Sequence, residues 1–464
     1  MSTMQDTLFR PALLAALLAL SLTGCAIGPD YVKPALDMPA AFKEDGRWKG
    51  AQPQDEHPRG PWWQVYHDAR LDGLMDTLNR QSPSIAQAEA QYRQAQALLD
   101  QAEASLWPSL GLNAAKSRGV SSAGGAVENQ YNLSLAASWE VDLWGSVRRA
   151  VEAGQAKQSA SAAQLAAARL SAQAQLATAY LQLVTADEQL RQLRESESLL
   201  KASLDITRNQ FNAGIVSDAS VAQAESQWKT AQAAVVDKQL TRAQLEHAVA
   251  AALGENPSSF SLPQASGLPR LPQIPPGLPS TLLERRPDIA AAERAVAQAN
   301  AQIGIAKAAY FPTLTLGASG GYKSSSFADW VSLPNRIWSV GPQLALSLFD
   351  AGLRRAQTAQ AIAAYDASVA SYRQTVLSAF QSVEDNLSAQ GLLAEEAGHQ
   401  QAALEAARRA ETITANQYRA GTVGYLNLLT AQNSRISAEN ALWTLKNRQY
   451  VASVSLISAI GGQW

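Results

Sequence analysis

The chain has 464 residues, enough for a large core, and its hydrophobic share of 47% excludes a disordered polymer. Its 38 basic and 40 acidic residues nearly cancel, which argues against a general electrostatic grip on nucleic acid or anionic lipid. Only 17% of residues are charged; Ala, Gln, Ser and Thr take their place, small or neutral groups that allow close helix packing and face water without a strong field.

The first predicted element is a signal peptide over residues 1–24. Arg10 precedes an apolar run at 11–22, shorter than the ~20 residues a membrane-spanning helix needs. The run ends in Leu22-Thr23-Gly24-Cys25, which is similar to the lipobox of bacterial lipoproteins, where Cys25 would be acylated and become the first mature residue. Cys25 is the only cysteine, so no internal disulfide can form. Ala26 after it resembles the version sorted onward to an outer membrane, and Met4 is an alternative start. No later stretch is long and apolar enough for a transmembrane helix, so passage through a membrane requires strands.

Beyond an N-terminal arm (25–81), the chain is written twice. Residues 82–112 align without gaps on 286–316, with Pro83/Pro287, Ile85/Ile289, Glu89/Glu293, Gln94/Gln298 and Pro108/Pro312 identical. Gln210-Phe211-Asn212-Ala213-Gly214 matches Gln417-Tyr418-Arg419-Ala420-Gly421, and Leu253-Gly254 matches Ile460-Gly461. The first repeat covers 82–257 and the second 282–464, joined by a Pro-rich linker at 258–281. Each predicts a helix, a pair of strands (109–139 and 313–348), then a long helical hairpin (144–253 and 352–460). No proline lies between Pro108 and Pro257 or after Pro342, and Leu176, Leu183 and Leu190 recur every seven residues as in a coiled-coil seam.

The strand segments alternate. Tyr131, Leu133, Leu135, Ala137 and Trp139 share one face, as do Val340, Pro342, Leu344, Leu346 and Leu348; 110–114 and 313–322 are weaker examples. A half-buried strand in a soluble sheet gives the same alternation. Segments of ~10 residues, however, suit a tilted transmembrane strand, and each pair is joined by a Gly/Ser-rich loop. Four strands cannot close a barrel, because the smallest transmembrane barrels use eight. Two copies give eight strands, whose interior side chains fill, whereas three give twelve and an open lumen. The expected fold is therefore mainly α with a transmembrane β part, two tandem repeats per protomer, and a trimer.

Several stretches resemble the outer-membrane efflux protein family, in its lipoprotein branch serving resistance-nodulation-division pumps. They are Cys25-Ala26-Ile27-Gly28-Pro29-Asp30-Tyr31, Trp62-Trp63 before Asp68, Pro275-Pro276-Gly277-Leu278-Pro279-Ser280, and Leu283-Glu284-Arg285-Arg286-Pro287-Asp288-Ile289 with Ala292-Glu293 and Ile303-Gly304. The resemblance implies a homotrimer in which a twelve-stranded outer-membrane β-barrel continues as a long periplasmic α-helical barrel. The N-terminal arm and the linker would form a belt around its middle. It also implies a periplasmic membrane-fusion adaptor, an inner-membrane pump, anchorage in outer-membrane lipid through acylated Cys25, and passive exit of small molecules through the duct. Adaptor contact would fall on the hairpin tips, Ala213, Gly214, Ile215 and Ala420, Gly421, Thr422. Relatives often carry a charged Leu-Asp-Ala-Gln-Arg run after the second tip. Here it reads Leu429-Thr430-Ala431-Gln432-Asn433, so the expected periplasmic gate is an uncharged constriction of Tyr418, Leu426, Thr430 and Asn433.

No enzyme is expected. Gly317-Ala318-Ser319-Gly320-Gly321 fits a hydrolase-elbow pattern, but that motif needs a strand running into a helix, and this one lies inside an alternating segment. The four histidines show no metal-ligand spacing, no nucleotide fingerprint occurs, and no cofactor, metal or nucleic acid is implied. The charged run 188–201 reads as a solvated helix face. A pore-less coiled-coil adaptor is the competing reading. It would carry one helical hairpin rather than two, and no membrane-type strand pairs.

Overall fold

The computed structural model describes residues 26–34, 60–120, 127–265, 267–272 and 286–462. The signal segment, Cys25 and the motif residues 275–280 and 283–285 lie outside them. In chain order come a 3-10 turn Trp62–Tyr66, helices α1 (Ala69–Gln81) and α2 (Pro83–Ala104), and strands β1 (Ser109–Val120) and β2 (Val127–Val141). Helices α3 (Ser146–Asn212), α4 (Asp218–Leu253) and α5 (Pro287–Ala308) follow, then β3 (Thr313–Ser324), β4 (Arg336–Ala345), α6 (Leu353–Arg419) and α7 (Tyr425–Ala459). Both α3 and α6 run 67 residues without proline, in stretches rich in Ala, Gln and Leu, all strong helix formers. The order α2-β1-β2-α3-α4 recurs as α5-β3-β4-α6-α7, a two-repeat architecture. Among the described residues, no helix is long and apolar enough to cross a membrane.

Contacts divide the chain into two units. The first holds the described residues of Met1–Leu36, Gln91–Ala162 and Ala291–Gln374. Its sheet is an antiparallel meander in the order β1-β2-β3-β4. The strand pair expected over 313–348 forms β3 and β4, separated by residues 325–335, and only its far end differs: β4 ends at Ala345, so Leu346 and Leu348 fall outside the ladder. Thr313 pairs with Ala345. The residue before Thr313 is Pro312, which has no N–H with which to continue. In the other direction β1 runs past 114 to Val120.

The arm docks on this unit. Ile27 N–H donates to the Trp144 carbonyl at 3.0 Å, Asn300 donates to the Pro29 carbonyl at 2.9 Å, and Tyr31 donates its hydroxyl to Glu293. Two glycines make the approach possible. A Cβ on Gly28, whose φ is +114°, would lie 2.6 Å from the Gly304 Cα, and one on Gly145 would meet Ala26 at 2.7 Å. Arg149, buried beside Gly304, donates to Asp30 at 3.0 Å and to Glu152 at 2.7 Å.

The second unit, the described residues of Asp37–Ala90, Ala163–Ala290 and Thr375–Trp464, contains the main core. Trp62, Trp63 and Tyr66 of the 3-10 turn bury with Leu71 and Met75 of α1 against Leu176, Leu253 and Ile457. Asp68 fixes this packing through two links: its carboxylate caps α1 by accepting from the Arg70 and Leu71 amides and also accepts the Tyr180 hydroxyl at 2.8 Å. The heptad leucines Leu176, Leu183 and Leu190 are buried.

Candidate functional site

The sheet separates two chemistries. Residues opposite one another in a ladder share a face, and Leu112↔Leu135↔Gly320↔Trp338 and Trp139↔Leu316↔Pro342 lie on one side. Leu110, Leu133, Leu314, Val340 and Leu344 are on that side too. It is uncovered within the chain, with Leu112 69%, Trp338 72% and Val340 73% exposed. The opposite side carries Asn113, Ser134, Asn132, Ser319, Ser339 and Gln343, where the Ser319 and Ser339 hydroxyls bond at 2.9 Å. Ser319 thus sits inside β3, far from a strand-to-helix turn. Gly321 is required on that polar side, since a Cβ there would lie 2.1 Å from the Leu133 carbonyl oxygen. Among the described residues, β1 and β4 each pair on one side only.

Both hairpin tips end their long helices alike. Gly214 has φ +74° and bonds to the Phe211 carbonyl, while Ile215 N–H reaches back to Gln210. Gly421, at φ +73°, bonds to Tyr418, and Thr422 to Gln417. This is the Schellman arrangement, and the glycine makes its left-handed residue inexpensive. Ala213, Gly214, Ile215, Ala420, Gly421 and Thr422 are all exposed, Ile215 by 70%.

The four gate candidates fall into two settings. Tyr418 is half-buried: its ring packs edge-on against Tyr425 at 5.8 Å and its hydroxyl donates to Gln210 at 2.5 Å. Leu426, Thr430 and Asn433 are exposed at helical spacing on one face of α7. Asn433 accepts from Gln227 of the first hairpin. No charge enters these contacts.

Sequence reasoning missed a carboxylate cluster that holds the linker. Arg242 donates to Asp187 at 2.7 Å, to Glu246 at 3.0 Å and to the Leu262 carbonyl at 2.6 Å. Asp187 accepts the Ala265 amide, Glu246 the Leu262 amide and Glu188 the Gly267 amide. Glu188 is therefore buried, not part of a solvated face. Burial opposes its charge, but the Gly267 amide and Arg191 outweigh that and hold it below the usual glutamate range. Tyr450, its hydroxyl pushed up to about 12 by burial, donates to the Pro269 carbonyl. A run of paired charges at Asp187-Glu188 in an apolar seam was the available signal.

The motif arginine Arg286 is likewise structural, donating to the Ala459 carbonyl at 3.0 Å and pairing with Asp288 at 2.7 Å. It borders a cleft of about 510 Å³ whose other polar lining includes Gln175, Thr178, Gln182, Ser382 and Ser455. Among the described residues, no cluster of His, Cys, Asp and Glu could hold a metal ion.

Known proteins share this organisation. The Pseudomonas putida toluene efflux pump outer membrane protein TtgC is 30% identical over 97% of this chain and 95% of its own length. The Pseudomonas aeruginosa pyoverdine export outer membrane protein OpmQ is 30% identical over 98% and 96%. The open-state Neisseria gonorrhoeae MtrE outer membrane channel superimposes with a TM-score of 0.82 at 29% identity, covering 94% of this chain and 98% of that one. The signature of the outer membrane efflux protein family matches residues 74–255 and 278–462, one stretch for each repeat. With two-sided strands, tandem hairpins and relatives matched end to end, the chain belongs to the outer membrane efflux protein family.

Proposed function

We propose that three copies close into one duct that carries small molecules passively across the periplasm and outer membrane, delivered by an inner-membrane pump through a periplasmic adaptor. The observation that carries this reading is the sheet: one exposed apolar face, one polar face, and two edges left open. Open edges are not tolerated in lipid. Three copies supply twelve strands, which closes the edges and leaves a lumen lined mainly by Ser, Asn, Thr and Gln, with Glu128, Glu140 and Lys323 the charged exceptions; such groups hydrate a path without binding cargo tightly. In this reading the Schellman tips meet the adaptor, and Tyr418, Leu426, Thr430 and Asn433 form the periplasmic constriction. Cys25 would carry the lipid anchor, a reading supported by Ala26 and Ile27 docking where β2 leads into α3.

Relatives named for toluene and for pyoverdine are equally similar to this chain. A mostly uncharged, hydrated lining accommodates both, so selection of cargo is assigned to the pump. The test is the mass of the purified protein in detergent together with its conductance in a planar bilayer. A trimer with small, mostly closed pores that open when the tip contacts are weakened is expected. A soluble monomer, or a protein silent even after tip mutation, overturns the proposal.

A further inference from the structure

Net charge is balanced over the chain, yet the sheet concentrates cations at one place. The strands have a helix end, at Ser109, Val141, Thr313 and Ala345, and a loop end, at Val120, Val127, Ser324 and Arg336. Register puts Lys116, opposite Tyr131, on the apolar face, and Arg118 and Arg336, which faces Tyr322, on the same side. All three are exposed and belong to the loop-end part of their strands. The strand glutamates Glu128 and Glu140, and Lys323, fall on the polar face instead. Among the described residues, none of the three cations has a carboxylate partner; Lys116 lies over the Tyr131 ring, 5.5 Å from its centroid. Tyr131 in turn packs on Phe327 at 5.5 Å and Trp330 at 5.7 Å, and Trp338 projects from the face one step below Arg336.

Unpaired cations on a lipid-facing surface are costly, and long side chains at a strand end can relieve that cost by reaching headgroup phosphates. Aromatic residues at the same level are the usual companions of an interface. Lys116 and Arg118 occupy one edge strand and Arg336 the other. Closing the barrel places β4 of one copy beside β1 of the next, about 4.8 Å away, so the cations of two copies join across each seam.

We propose that each seam binds the phosphorylated headgroup of an outer-leaflet glycolipid, with Lys116 and Arg118 from one copy and Arg336 from the next as its phosphate ligands. The acyl chains then lie over Leu112, Trp338 and Val340. This rests on the threefold assembly proposed above. Guanidinium and ammonium groups match phosphate oxygens, and a headgroup with two phosphates engages both sides of the seam.

The experiment uses the full-length protein in phosphatidylcholine nanodiscs doped with bisphosphorylated lipid A, monophosphorylated lipid A or phosphatidylglycerol, with retained lipid counted by mass spectrometry after purification. Bisphosphorylated lipid A should be retained preferentially, one per seam. The triple substitution Lys116→Gln, Arg118→Gln, Arg336→Gln should reduce retention by more than about tenfold, and the double substitution Arg118→Lys, Arg336→Lys, which keeps all three charges, should retain most of it. Equal retention of all three lipids by the unaltered protein, a comparison that needs no variant, overturns the inference, as does unchanged retention by a triple variant that still forms trimers. Failure of the unaltered protein to form trimers would instead count against the assembly.

Discussion

The Tyr418 hydroxyl donates to the Gln210 carboxamide oxygen at 2.5 Å, tying the end of α6 to the end of α3 beside both tips. In the internal repeat Tyr418 corresponds to Phe211, so only one of the two positions can make such a bond. A neutral hydrogen bond contributes about 0.5–1.5 kcal/mol. Tyr418→Phe keeps the ring against Tyr425 and removes the tie, and single-channel recording should show open probability rising roughly two- to tenfold. Unchanged gating would place the constriction elsewhere.

Gly214 and Gly421 hold left-handed backbone with open space around any added Cβ. Gly421→Ala should therefore cost only about 1 kcal/mol, from backbone strain alone. Thermal unfolding should show a small shift, while co-purification with the adaptor should fall much more if the tip is a contact. Equal, small losses in both measurements would mark Gly421 as a turn residue only.

The two faces of the sheet predict opposite responses to charge. Leu135→Lys, in mid-strand on the apolar face, should cost about 2–4 kcal/mol and suppress membrane insertion. Its neighbour on the polar face, Ser134→Lys, should insert and shift ion selectivity toward anions. Heat-resistant trimers on gels and reversal potentials in salt gradients read the two outcomes.

Arg149 and Asp30 form a salt bridge of unequal partners, with the Asp30 side chain 95% exposed and that of Arg149 only 5%. Asp30→Ala should cost less than about 1 kcal/mol, because an exposed carboxylate contributes little. Arg149→Ala also strips donors from Glu152 and from the arm, and it should cost several-fold more and expose residues 26–34 to protease. Comparable protease sensitivity in the two variants would contradict this assignment.

Acid should loosen the linker. Glu188 is held below its ordinary value in the folded chain, so its stabilisation is present above the unfolded glutamate value of about 4.3 and is lost as pH falls through the lower folded value. Hydrogen exchange of residues 262–270 should accelerate below about pH 4, and Glu188→Gln should flatten that response. A variant with the same pH profile as the unaltered protein would assign the effect to another group.

The sequence revealed features whose information is local or periodic. Leucines every seven residues announced the buried seam of α3, alternation at 131–139 announced the oily face, and the copied Ala-Gly pair announced equivalent tips. What escaped is long-range. Nothing near Glu188 shows that its partner is the Gly267 amide, and Asp30 gives no sign of Arg149. β1 looked short because Lys116 and Arg118 interrupt the apolar alternation, and β4 looked long because Leu346 and Leu348 prolong it, although pairing stops at Ala345.

The open edges of β1 and β4 carry a genetic consequence. Each copy completes its neighbours' walls, so one faulty copy spoils every cylinder that admits it. An allele altering the apolar face but sparing the edge strands would therefore act dominantly over the normal gene, whereas one that cannot pair at β1 or β4 would be excluded and recessive.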